Sequence, residues 1–424
     1  MSTEPSTEPN TESSRAATTA PYRLDPKGGC PHAANARLLA RGAVTDVVLP
    51  GGIAGKMVLG HEALKDFLSR PDVAKSPAHF TALREGAIPP GWPLLTFAVV
   101  PGMITADGDD HRRLRTLVSR AFTARRVEAM RAGIESVTAA LLDSLAREAA
   151  AGDGVVDLRA RFALPLPLSV ICTLLGLDEE YRERLHELSN QVVSTTIEPQ
   201  AAIAANKEMI QLLAAIAAIR AERPGDDLTS ALIAVRDEDG DRLSQEELIG
   251  TLMLTVVAGH ETTLNLISNA VRALCGHRDQ LEAVRSGKAG WADVVEETLR
   301  WDAPVSYFPF RYPVEDITVD GTLIPKGTPV LAGYSAAGRD TEAHGPDAGR
   351  FDVTRSGGSR HLSLGHGAHF CLGAPLARLE GAIALERLFT RFPDLDLAVP
   401  EAELERHASF VGNGVDELPV RLTR

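Results

Sequence analysis

The chain has 424 residues, and its 57 acidic against 44 basic side chains leave a net charge of -13, which argues against the broad basic face that nucleic-acid binding needs. Four scattered cysteines, Cys30, Cys172, Cys275 and Cys371, make a disulfide framework improbable and fit a reducing compartment, with the cytoplasm as default. With no run of about 18 apolar residues and no basic-then-apolar signal pattern at the N-terminus, a soluble protein away from membranes is expected.

Residues 1–20 begin with Ser-Thr-Glu-Pro written twice and offer nothing to bury, so a disordered polar tail is expected there, followed by one large domain over 21–424. Val47–Leu49 and Lys56–Leu59, separated by Pro50-Gly51-Gly52, predict two strands joined by a turn, with a helix from His61. Ala78–Asp107 holds Pro89, Pro90, Pro93 and Pro101 among Trp92, Leu94, Leu95 and Phe97; a connection this long is usually functional, although its aromatics equally suit core packing.

His111-Arg112-Arg113-Leu114-Arg115 opens the next helix and puts His111 and Arg115 on one face, either as a clamp for an anionic group or as part of a solvated basic surface. Arg112, Arg113, Arg120, Arg125 and Arg126 extend that surface. Helical periodicity dominates Val127–Val235, with breaks at Gly152-Asp153-Gly154, Gly176, Glu198-Pro199 and Pro224-Gly225.

Ser244-Gln245-Glu246-Glu247 is a capping box, and the apolar run behind it predicts a helix to about Cys275, some 48 Å long at about 1.5 Å per residue. A helix so long and so apolar must cross the interior, which places Ala258-Gly259-His260-Glu261-Thr262-Thr263 at mid-length. Gly259 would leave room for a flat cofactor, and a threonine hydroxyl bonded back to a carbonyl would loosen the turn; a helical glycine with polar neighbours facing a crevice is the plainer alternative.

Glu297 and Arg300 share a helical face, a weak signal on its own. Pro304–Phe310 is apolar and aromatic and ends at Arg311, while Leu395–Leu397 and Leu418–Leu422 predict short C-terminal strands.

The stretch His361–Glu380 surrounds Cys371 with Gly365, Gly367 and Gly373, which permit positive-φ turns whose N–H groups point at the sulfur. Pro375 suits the first turn of the following helix, whose positive end would favour a low-pKa thiolate. Such a cysteine is a single ligand to a soft metal, a member of a zinc site with His366 and His369, or a buried structural residue.

This stretch resembles the haem-binding loop of the cytochrome P450 family, F-x-x-G-x-x-x-C-x-G, at Gly367, Cys371 and Gly373, with Leu364 in place of the family phenylalanine. The central hexad is similar to that family's A-G-x-[DE]-T-T, Glu297–Arg300 to its E-x-x-R with Arg350 as third member, and His111/Arg115 to its H-x-x-x-R. The resemblance implies a mainly α fold with a smaller β-rich region, one domain around a buried haem b whose iron is ligated by Cys371. It implies haem contacts from His111, Arg115, Ala258, Gly259, Arg311, His361, Gly365, His369 and Gly373, with proton relay by Glu261 and steadying of the bound oxygen by Thr262. Trp92, Leu94, Val305, Phe308 and Phe410 are then expected in the substrate pocket.

The activity so implied is insertion of one atom of dioxygen into an apolar small molecule, steroid, terpenoid or polyketide-like, by hydroxylation or epoxidation. No G-x-G-x-x-G follows a strand, so electrons are expected from separate proteins; the resemblance implies NAD(P)H, a ferredoxin reductase and an iron-sulfur ferredoxin, the last docking on the arginine face of a monomer. The alternatives are a peroxide-driven enzyme of the same fold, which would not need the acid–alcohol pair, and a haem sensor or carrier.

Overall fold

The computed structural model describes residues 20–177, 179–236, 240–355 and 361–422; the expected tail lies outside these residues except for Ala20. The fold is mainly helical with a smaller β-rich region, as the resemblance implies.

The central helix, Gln245–Gly276, is organised from its first turn. Ser244 Oγ accepts the Glu247 N–H, and the Glu247 carboxylate accepts the Ser244 N–H, so the predicted capping box forms. Leu252, Val256, Leu264, Ile267, Ala270, Val271 and Leu274 are all buried, because helices Pro165–Leu175, Trp291–Trp301 and Ala374–Arg391 pack around it.

Eleven short strands occur among the described residues: β1 (Tyr22–Arg23), β2 (Val44–Val48), β3 (Ala54–Val58), β4 (Val73–Ala74), β5 (Val155–Asp157), β6 (Phe308–Pro313), β7 (Ile317–Val319), β8 (Thr322–Ile324), β9 (Val330–Ala332), β10 (Asp396–Leu397) and β11 (Pro419–Arg421). The largest sheet runs β1-β2-β3-β9-β6-β4, with β2 and β3 forming the predicted hairpin. The register between β6 and β9 is irregular between Phe308 and Arg311. In a regular strand two residues three apart face opposite ways; the irregularity lets both side chains face the same cavity.

β5 departs from the expected helical run. Its three residues, flanked by Gly152-Asp153-Gly154, carry too little pattern to announce a strand, and only pairing with β11 defines them. The 24-residue helix Pro199–Glu222 is also long and apolar enough by composition to cross a membrane, although the sequence shows no uninterrupted apolar run; here it packs on the central helix and on Arg182–Val193.

The expected third member of the Glu297–Arg300 triad is a correction. Arg300 is buried and binds Glu297 through two 2.7 Å contacts, and its remaining donors reach the carbonyls of Gly338, Ala348 and Arg350. Arg350 contributes only that carbonyl, since its side chain points outward towards Asp279 at 3.8 Å. Arg355 instead approaches Glu297, with Nε 3.7 Å from Oε1.

Removing one partner of a buried ion pair leaves the other charge uncompensated, so Glu297→Ala is expected to cost about 3–5 kcal/mol. Arg350→Ala should stay within about 0.5 kcal/mol of wild type, as a surface change does, and Arg355→Ala should fall between them. Denaturant midpoints of the three variants check this order.

Candidate active site

Cys371 lies at one end of a mostly apolar cavity of about 300 Å³, walled by the central helix, the end of β6 and the loop before helix Ala374–Arg391. A second, more open groove of about 560 Å³, with Arg125, Arg126 and Asp226 at its rim, lies away from Cys371 and shares only Leu174 with this cavity.

The loop is shaped by Gly365 (φ 77°) and Gly367 (φ 71°). A Cβ on Gly367 would stand 2.9 Å from the Leu68 carbonyl oxygen, so the loop rests directly on the backbone of helix His61–Ser69. Gly373 does not need the expected positive φ; at φ -77° it is the N-cap of helix Ala374–Arg391. The backbone N–H groups of Gly373 and Ala374 point at the Cys371 sulfur.

The expected low thiol pKa is also corrected. Burial pushes the Cys371 thiol up, and the two N–H groups together with Arg115 and Arg378 only partly oppose it. A metal cation on the sulfur would reverse that balance. Leu364 lines the cavity, and its carbonyl accepts the Cys371 N–H at 2.8 Å.

Basic side chains converge on the same cavity. Arg115, Arg311, His369 and Lys75 line it, and the His111 ring packs on His369 with centroids 4.1 Å apart. The Arg115 and Arg311 guanidiniums have no hydrogen-bonded acceptor among the described residues, and His111 Nε2 is buried without a partner. Burial, Arg311, His111, Lys75 and Arg115 push His369 down to about 2. Such a cluster calls for an anionic group that the protein itself does not supply. It suits a cofactor that carries carboxylates, with Cys371 placed to ligate its metal.

His361 is placed differently from expectation. It is absent from the cavity wall and pairs with Glu296 at 3.2 Å; against the upward push of burial, His361 and Arg378 hold that carboxyl down to about 2. The zinc alternative finds no support, since no group of three or more potential ligands converges among the described residues.

On the central helix, Ala258, Gly259, Thr262 and Thr263 line the cavity. Thr262 Oγ1 donates to the Ala258 carbonyl at 2.8 Å, which leaves its lone pairs free to accept. Glu261 is off the wall; one carboxylate oxygen is buried without a partner, and its charge reaches His186 and His260. Gly259 has a reason beyond its place on the cavity wall: a Cβ there would lie 2.4 Å from Ile171 Cδ1, so the glycine also lets two helices approach.

Val305 and Phe308 line the cavity, but Trp92, Leu94 and Phe410 do not. These three are buried in the apolar cluster behind β6, where Trp92 stacks on Phe310 with centroids 5.6 Å apart. Apolar composition in a long segment does not distinguish a chamber wall from core packing. Sequence reasoning also missed Lys75 and Glu380. Both lie on the cavity wall, where burial pushes the Glu380 carboxyl well above the ordinary carboxylate value and the Lys75 amine well below the ordinary lysine value.

A cytochrome P450 family model matches residues 292–406. The chain is 42% identical to the 2-hydroxy-5-methyl-1-naphthoate 7-hydroxylase of Streptomyces carzinostaticus, over 95% of this chain and 97% of that one. It is 40% identical to the vitamin D(3) 25-hydroxylase of Pseudonocardia autotrophica, over 92% and 94%. The solved structure of CYP154C4 from Streptomyces sp. W2061 superposes with a TM-score of 0.91 at 44% identity, covering 96% of this chain and 98% of that one. Fold, thiol loop and these relatives together place the chain in the cytochrome P450 family. It is a P450 monooxygenase, and its cofactor is a haem.

Gly259→Ala gains about 1 kcal/mol of helix propensity but forces overpacking of about 1–3 kcal/mol against Ile171. The single variant should therefore be destabilised, whereas the same change made in an Ile171→Ala background, which removes both Cδ1 and Cγ1, should be neutral or stabilising. A double-mutant cycle on unfolding midpoints measures the coupling.

Proposed function

We propose that this chain hydroxylates an apolar, multi-ring or macrocyclic small molecule of steroid, terpenoid or polyketide type, with epoxidation as a variant of the same chemistry. The observation that carries the reading is the pairing of Cys371 with Thr262: a sulfur surrounded by N–H donors and a hydroxyl with free lone pairs border one apolar cavity. Two relatives named for a naphthoate and for vitamin D(3) support a ring-system substrate.

The cofactor is read as haem b. Cys371 would hold its iron, while Arg115, Arg311 and His369, with His111 behind, would bind its carboxylates; Ala258, Gly365 and Gly373 would flank it. When bound, the haem supplies dioxygen activation, with the thiolate pushing electron density towards the iron.

The remaining work falls to this chain's side chains. Val305, Phe308, Leu254 and Leu266 exclude water and hold the substrate by apolar contact. Thr262 accepts a hydrogen bond at the reacting oxygen, and Glu261, one residue away, delivers protons after its side chain turns towards the cavity. This acid–alcohol pair favours dioxygen over peroxide as oxidant.

Electrons are read as coming from NAD(P)H through a ferredoxin reductase and an iron-sulfur ferredoxin, to a monomeric cytoplasmic enzyme. All four cysteines are free, which fits that compartment. The docking face is less charged than its sequence implies: Arg112 pairs with Asp109, Arg113 with Asp241 and Glu247, and Arg126 with Asp226. Arg125 is exposed beside them.

Cys371→Ser should abolish the thiolate-type spectrum of the carbon monoxide complex, because a neutral hydroxyl is a poor anionic ligand; a wild-type spectrum from this variant overturns the ligand assignment. Thr262→Ala should still consume NADPH with a suitable reductase and ferredoxin while releasing several-fold more of it as hydrogen peroxide. An unchanged ratio of product to NADPH would remove Thr262 from the reaction.

A further inference from the structure

Lys75 is a fully buried cation with almost nothing to neutralise it. Its side chain lines the cavity, only 4% of the residue is exposed, and its ammonium reaches the Pro309 carbonyl oxygen at 3.5 Å and the Phe308 ring at 5.1 Å. β4 pairs Val73 with Pro313 and Ala74 with Tyr312, so the next step in the ladder sets Lys75 against Arg311, a like charge. The carboxylate whose charge reaches Lys75 is that of Asp107, and its oxygens accept the backbone N–H groups of Lys75 and Ser76.

A buried ammonium in an apolar wall is costly unless an anion meets it. Lys75, Arg115 and Arg311 border one cavity, and the only protein acceptor near the Lys75 nitrogen among the described residues is the Pro309 carbonyl oxygen at 3.5 Å, so the anion these side chains call for would come from a bound group such as a haem carboxylate. We propose that Lys75 is a carboxylate ligand within this cavity, its ammonium binding a propionate of the haem beside Arg115 and Arg311. The proposal rests on the haem reading of the site. Asp107 gives it a rigid frame, because the same residue ties Lys75 to the start of the helix that carries His111 and Arg115.

The test is haem release from purified holoprotein to excess apomyoglobin. Lys75→Met is expected to lose haem about tenfold faster or more, the size of one lost charge-assisted hydrogen bond, and Lys75→Arg to stay within about threefold of wild type. The haem midpoint potential should fall in Lys75→Met, since a positive charge that favours the reduced form is gone, and recover in Lys75→Arg. If Lys75→Met yields no holoprotein, Lys75→Gln is measured in its place.

Wild-type release with an unchanged potential in the methionine or glutamine variant overturns the proposal. It is overturned also if haem release is unchanged while binding of 1-naphthoate weakens and that of its methyl ester does not, for the carboxylate is then the substrate's. A wild-type protein that purifies without a thiolate-haem spectrum overturns the haem reading itself, and this proposal with it.

Discussion

The structure turns on the electrostatics of one group, the Cys371 sulfur buried at the wall of an apolar cavity. Burial drives the thiol away from its charged form. The N–H groups of Gly373 and Ala374 and the nearby Arg115 lower the cost of charging it, and a metal cation bound there would offset the rest. For those donors to be in place, the loop must hold its shape. It does so by lying against the Leu68 backbone at Gly367 and by leading directly into helix Ala374–Arg391, which is packed on the central helix.

The opposite charge problem arises in the same cavity, where Lys75, Arg115 and Arg311 gather with His369. They come from four separate parts of the chain: the end of β4, the helix from Gly108, β6 and the thiol loop. The Asp107 carboxylate accepts the N–H groups of Lys75 and Ser76, and the residue itself stands at the N-cap position of the helix that carries His111 and Arg115, so one residue links two of these parts. The register irregularity in β6 aligns a third by turning both Phe308 and Arg311 inward. A haem held by Cys371 would meet both parts of this charge distribution, its iron answering the sulfur and its carboxylates the basic side chains.

Around that axis the packing is conventional. The central helix serves as core and as cavity wall at once: Leu264, Ile267, Ala270 and Leu274 are buried against neighbouring helices, while Ala258 and Thr262 face the chamber. Gly259 reconciles the two roles, since any side chain there would press Ile171 and move the wall. The Glu297–Arg300 pair acts at a distance from the chemistry by gathering the carbonyls of Gly338, Ala348 and Arg350 into one buried node behind the thiol loop.

By itself the sequence determined the family, the central helix and the place of the hexad on it, and it singled out Cys371 and its loop, because each is written in contiguous residues: a capping box, an i+4 or i+3 spacing, a cysteine among glycines. It also placed Val305, Phe308, Arg311 and Arg115 correctly on the cavity, since their neighbours in the chain carry the pattern. What only the tertiary structure decided are the contacts between distant segments. Arg355 rather than Arg350 meets Glu297 because the chain turns between them; His361 goes to Glu296. Trp92, Leu94 and Phe410 fill the core behind β6, for burial in a core and burial at a pocket wall demand the same apolar side chains. Lys75 was invisible for the same reason in reverse: a lysine is an ordinary surface residue until the fold closes over it, and only then does its charge require an answer.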